Sequence, residues 1–158
     1  MDNPTYIWFY DRQNQQIDGP EHGEMIGGSF GVLSLEHQIL RPLDHHGAIA
    51  GERIHKPFSV VKLIDLSSVI IRSHFAQNSL LRRVVIKAFE HNGGGGLSEL
   101  FSIDMNNVKV ASIDLFLKEE MQNSNSLKET ITLVYQSIVW NYPDRGMNFR
   151  DNWQNDHD

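Results

Sequence analysis

The 158-residue chain is 40% hydrophobic and 22% charged, which suits one globular domain with a real core. A net charge of -6 argues against a nucleic-acid partner or an anionic membrane surface, since both call for a basic face. The absence of cysteine excludes disulfides, thiolate catalysis and cysteine-built zinc sites.

Met1-Asp2-Asn3-Pro4-Thr5 has no basic start followed by an apolar run, so no signal peptide is expected. No apolar stretch is long enough to cross a bilayer as a helix. The expectation is a protein made and folded in the cytoplasm, which leaves the cell, if it does, by a dedicated machine. Tyr6 to Tyr10 is aromatic and β-branched and predicts a strand. Asp11 to Gly23 contains Gly19-Pro20 and reads as a loop. Ser29 to Leu40 predicts one long strand. Phe30 and Val32 share a face and Leu33 and Leu35 take the other, so a bulge or bend is expected near Val32-Leu33. Arg41 to Glu52 holds Pro42, Asp44 and Gly47 without periodicity. It reads as an extended loop long enough to dock on something.

Phe58 to Ile64 predicts a strand, and Ser67 to Gln77 the one helix. Asp65, Ser67 or Ser68 can cap the helix. Its core stripe is expected at Leu66, Val69, Ile70 and Ala76, with Ile71 and Phe75 beside it and Ile70 buried. Asn78 suits the left-handed residue that stops a helix. Strands are expected over Leu80–Glu90, Leu97–Met105 and Val108–Leu117, with turns at Gly93–Gly96 and Asn106-Asn107. Lys118 to Leu127 reads as a polar loop. Thr130 to Tyr142 predicts a last strand, apolar on both faces, so it would be covered on both sides. One domain over residues 1–158 is expected, its core at 5–142.

Few residues suggest chemistry. His45-His46 after Asp44 is the densest histidine cluster, but a metal needs three or four ligands in fixed geometry, and a solvated loop accounts for the pair. Gly93 to Gly96 lacks the Lys-Ser or Lys-Thr of a phosphate loop and reads as a hairpin tip. Gly28-Ser29-Phe30-Gly31 has the wrong spacing for a nucleophile elbow. No catalytic, metal or cofactor-binding residue is therefore assigned. A small-ligand-binding barrel and a hydrolase with an unrecognised site stand as alternatives. Arg53 and His55 lie two apart and share a face in an extended segment. They are read as a hydrogen-bonded anchor for the long loop, as subunit contacts, or as both. Trp153 sits in a polar tail, where an indole needs a partner surface.

Tyr6-Ile7-Trp8, Gly51-Glu52-Arg53-Ile54-His55-Lys56-Pro57-Phe58, the helix from Asp65, Asn107-Val108-Lys109-Val110, Ile138-Val139-Trp140-Asn141-Tyr142 and Asp151-Asn152-Trp153, in this order and spacing, resemble the hemolysin-coregulated protein (Hcp) family. Its members form the inner tube of bacterial type VI secretion systems. The resemblance implies a mainly β fold, a compact β-barrel with a flanking helix and a protruding loop. It implies hexameric rings that stack under a spike protein and inside a contractile sheath, effectors carried within, secretion, and no catalytic residues. On that model Ser29 and Gly31, opposite Phe30 and Val32, would line the channel and face cargo. Pro42, Asp44, His45, His46, Arg53 and His55 would make loop and ring contacts.

Overall fold

β-strands build most of the molecule, with buried and more open residues alternating most regularly over Phe58–Leu63 and Lys128–Val134. The computed structural model describes residues 2–118 and 126–153. Its strands are β1 Thr5–Tyr10, β2 Gln16–Ile17, β3 Phe30–Gly31, β4 Ser34–Glu36, β5 Ile39–Leu40, β6 Ile54–His55, β7 Phe58–Leu63, β8 Leu81–His91, β9 Leu97–Phe116, β10 Lys128–Val134, β11 Ser137–Tyr142 and β12 Met147–Asn152. The helix, α1, spans Leu66–Ala76. Most of the reading of Lys118 to Leu127 as a loop lies outside the described residues.

The strands follow the order β2-β1-β8-β9-β10-β7-β4, with β11 and β12 branching from β9 and β3 pairing with β1. The fold is mainly β with one helix, as expected, but the sheet does not close into a barrel. β3 holds the β1 edge and β4 holds the β7 edge, and the chain crosses between them at Val32-Leu33. There Val32 N donates to Thr5 O and Leu33 N to Val61 O. The single strand expected over Ser29–Leu40 is thus three short ones. Its change of phase, visible at Val32-Leu33, is where it leaves one edge for the other.

Strand β9 organises the rest. Its first part pairs with β8 on one side and β11 on the other, and its second part, Lys109 to Phe116, pairs with β10. The turn expected at Asn106-Asn107 does not form. Asn107 does take a positive φ of 51°, but β8 stays in register with β9 as far as Val108, so the strand runs through. The break falls on the partner side instead. The expected strand Thr130–Tyr142 divides at Tyr135-Gln136, where Gln136 N donates to Asn106 O and Asn107 Nδ2 donates to Gln136 Oε1.

The main core is an apolar cluster that includes Ile7, Phe9, Phe30, Phe58, Val60, Ile71, Leu81, Ile86, Met105, Ile131, Leu133 and Ile138, and a smaller one gathers Trp8, Val85 and Phe89 on the other face of β1 and β8. Helix α1 enters the main core by Ile71. Leu66 and Val69 face outward and Ile70 is only half-buried, so the expected stripe is turned by about one residue. A polar network beneath the helix explains the rotation. The side chains of Lys62 and Glu129 are both fully buried and lie 2.8 Å apart. Ser68 Oγ donates to Glu129 Oε2 at 2.6 Å and Arg72 Nη1 donates to Oε1 at 2.6 Å. Lys62 also donates to Asp65, the residue that caps the helix in a reciprocal pair with Ser68. Burial pushes the Glu129 carboxyl up. Hydrogen bonds from Lys62, Ser68 and Arg72 outweigh that and hold it below the usual carboxylate range.

Candidate assembly surface and its anchor

Residues 39–55 form a projecting arm. Its base is the β5–β6 ladder, Ile39 opposite His55 and Leu40 opposite Ile54. Farther out Leu43 bridges to Ile49, and the tip is a tight turn that Asp44 makes. Asp44 Oδ1 accepts from His46 N and Ala48 N, and Gly47 takes a φ of 85° that a side chain would resist. The stretch without periodicity is therefore a hairpin, too short in ladder to show in sequence. Its apolar side chains are displayed: Leu43 is 62% and Ile49 61% exposed.

A buried polar cluster fixes the base of the arm. Arg53 Nε and Nη2 donate to the two Asp151 oxygens at 2.7 and 2.6 Å, the two-pronged geometry in which this pairing is strongest. His55 Nε2 lies 2.8 Å from Asp151 Oδ2, and His55 Nδ1 lies 2.5 Å from the Tyr135 hydroxyl. That hydroxyl is 2.9 Å from His37 Nε2. It carries one proton, so it donates to one imidazole and accepts from the other. Trp140 and Trp153 flank His55, with ring centroids 6.4 and 6.0 Å from its own. Arg53 draws the Asp151 carboxyl down, against burial and with help from His55, to about 2. Burial, then the neighbouring His55, lowers His37. Burial and the Asp151 charge push the Tyr135 phenol up.

Three segments distant in sequence thus meet around His55: the arm that carries it, the β10–β11 break through Tyr135, and β12 through Asp151. The shared face of Arg53 and His55 was legible from their spacing. Their partners were not, because Tyr135 was read as mid-strand, and His37 carried no signal. Trp153 does find a partner surface, against Tyr135 with ring centroids 4.9 Å apart.

The expected contact residues sort differently. Pro42, Asp44, His45 and His46 lie on the arm, with the two histidine rings 4.0 Å apart and exposed. Among the described residues no three His, Cys, Asp or Glu side chains gather to hold a metal. His55 is buried and holds the arm from inside, so it cannot itself touch a neighbour. Ser29 is a correction as well. It is fully buried and its Oγ donates to Ile26 O at 2.6 Å, so it cannot face cargo. Gly31 remains half-exposed, and a side chain in its place would meet open space.

Sequence reasoning overlooked the surface of β12. After Gly146, at a φ of 59°, the chain turns back along β11, and Met147 and Phe149 are each 66% exposed. Leu43, Ile49, Leu66 and Val69 are likewise exposed.

The family model described as "Type VI secretion system effector, Hcp" matches residues 6–142. The chain is 21% identical over 145 residues to the Major exported protein of Pseudomonas aeruginosa, covering 89% of this chain and 81% of the relative. Among solved structures it resembles Hcp1 of the E. coli EAEC 042 pathovar, with a TM-score of 0.87 and 28% identity over 96% of this chain and 99% of that one. It also resembles the secreted protein Hcp3 of Pseudomonas aeruginosa, with a TM-score of 0.78 and 17% identity over 96% and 99%. Fold, arm and sequence agree: the chain belongs to the Hcp family of type VI secretion proteins.

Proposed function

We propose that the protein is a structural subunit of the type VI secretion tube. Six copies close a ring, rings stack, and effectors travel within. The observation that carries this reading is the anchored arm, which displays Leu43 and Ile49 to solvent while Asp151 holds its base. A loop that served only to connect β4 to β7 would need neither the apolar tip nor the buried anchor. Head-to-tail contacts between such an arm and an unlike patch on a neighbour close a ring when the rotation permits.

On this reading Pro42, Asp44, His45 and His46 meet a neighbouring subunit or the next ring, and Gly31 lines the passage. The spike protein, sheath and effectors are the other partners, and the protein has no catalysis of its own. Assembly takes place in the cytoplasm and export follows. The kinship to a protein called a major exported protein supports that order. The model has no helix long and apolar enough to cross a membrane among the described residues.

Size-exclusion chromatography with light scattering and electron microscopy tests the reading. Hexamers that form stacked rings are expected, and deleting Pro42 to Ala50 should leave a folded protein with weakened rings or stacks. A stable monomer that binds a small ligand, or unchanged assembly of the deletion, would refute it.

A further inference from the structure

A groove of about 910 Å³ lies beside the arm's anchor, where the β10–β11 break faces β9 and the end of β12. Among the described residues its lining contains Arg82, Lys109 and Arg150 and no carboxylate. All three cations are exposed, and among the described residues none makes a salt bridge, in contrast to Arg53, Arg72, Arg83 and Lys87. The register explains their convergence. Leu81 pairs with Val108 and Arg83 with Asn106, so Arg82 stands opposite Asn107 and on the same face as Lys109. Arg150 enters from β12, opposite Val139.

The rest of the wall mixes amides with the apolar side chains of Leu80, Val134, Tyr135 and Trp153. Asn107 Nδ2 is held by Gln136 Oε1, and Trp153 N donates to Gln136 O at 2.9 Å. Lateral hydrogen bonds therefore fix the groove's floor, and its charge sits on rigid strands. The chain as a whole carries 20 acidic and 14 basic residues. A groove whose described lining offers three cations and no carboxylate runs against that balance. Like charges gathered in this way repel one another until an opposite charge arrives.

We propose that this groove is a docking site for an acidic, extended segment of another protein. Carboxylates would pair with Arg82, Lys109 and Arg150, and peptide groups would meet the Asn107 and Gln136 amides. Leu80, Val134 and Trp153 would supply apolar contact. The cations set the choice of partner: two of the three are arginines, whose planar forks match carboxylates in two-pronged fashion. A single indole and an acidic chain overall are poor provision for stacking along a nucleic acid. The proposal is independent of ring formation and goes beyond it.

The test uses the full chain as purified, with its oligomeric state measured first. Binding of fluorescein-labelled hexaglutamate is followed by anisotropy, against hexaglutamine and oligothymidylate of the same length. The expected result is saturable binding of hexaglutamate alone, weakening with salt. Neutralising the groove as Arg82→Gln/Lys109→Gln/Arg150→Gln should weaken it by about tenfold or more, and the charge reversal Arg82→Glu/Lys109→Glu/Arg150→Glu should abolish it. Circular dichroism of the neutralised variant separates lost binding from lost fold, and if that variant fails to fold, the single variant Lys109→Gln must still weaken binding. Absent binding, binding indifferent to neutralisation, or tighter binding of oligothymidylate would each overturn the proposal. So would binding that appears only when assembled protein is dissociated, because the groove's occupant would then be a second copy.

Discussion

Replacing Asp151 with alanine should release the arm while leaving the sheet intact. The carboxylate is 11% exposed and Arg53 33% exposed, while the His55 side chain is fully buried. Arg53 can turn to water when its partner goes, so most of the cost falls on His55 Nε2, left without a partner inside the protein. An orphaned buried N–H costs about 1–3 kcal/mol. The titration of Asp151 gives a second route to the same quantity. Its carboxyl is lowered from 3.8 to about 2 in the folded protein, which corresponds to roughly 2 kcal/mol at neutral pH. Because the folded value lies below the ordinary one, this stabilisation is fully present above the ordinary carboxylate range. It is lost as the pH falls toward about 2. The expected outcome for Asp151→Ala is therefore a loss of about 2 kcal/mol in urea unfolding at pH 7, read at one protein concentration because assembly would add to apparent stability. Hydrogen exchange should rise across residues 39–55 far more than across β8. The variant's own stability should also fall less steeply below pH 4 than the parent's. A loss below about 0.5 kcal/mol with unchanged exchange in the arm would show that Asp151 is not the anchor.

Ile71→Ala should cost about 2–5 kcal/mol, because Ile71 is fully buried, whereas Val69→Asp should leave the monomer's unfolding midpoint nearly unchanged. Equal effects in urea titrations would put the wrong face of α1 in the core. Glu129→Ala leaves Lys62 buried without its main counter-charge and should cost about 3–5 kcal/mol, while Arg72→Ala, which removes a partly exposed partner, should cost less; the reverse order in calorimetry would refute this. Ser29→Gln, a harmless change if the residue faced a passage, should instead destabilise by about 1–3 kcal/mol through overpacking. A soluble variant of full thermal stability would return Ser29 to the surface.

Much of this fold can be read from local pattern. Tyr6 to Tyr10, Phe58 to Ile64 and Leu80 to Glu90 alternate or cluster as strands must, and Asp65 and Asn78 mark the ends of α1 through backbone chemistry that any short window contains. What was misread depends on partners distant in sequence. Asn106-Asn107 has the composition of a turn, and only the continuing pairing with β8 keeps β9 straight through it. Thr130 to Tyr142 has the composition of a strand, and only its hydrogen bonding to β9 at Asn106-Asn107, through Gln136, divides it. The helix face went astray because Ser67 and Ser68 look like surface residues until Glu129 and Lys62 are placed beneath them. The anchor was half-visible. The spacing of Arg53 and His55 revealed a shared face, but Asp151 stands 98 residues from Arg53, and no window of sequence joins them.

That separation orders events during synthesis. His55 and Asp151 are 96 residues apart, which a ribosome working at about 5–20 residues per second takes roughly 5 to 20 seconds to cover. Throughout that interval the nascent chain carries Leu43 and Ile49 on an arm without the Asp151 clasp at its base. The apolar side chains of the arm exist early, and the clasp that steadies them arrives only with β12. A truncated product would have sticky residues without a fixed geometry for them, and would make a poor seed. On the proposed assembly, placing the clasp so late would couple polymerisation to synthesis of β12.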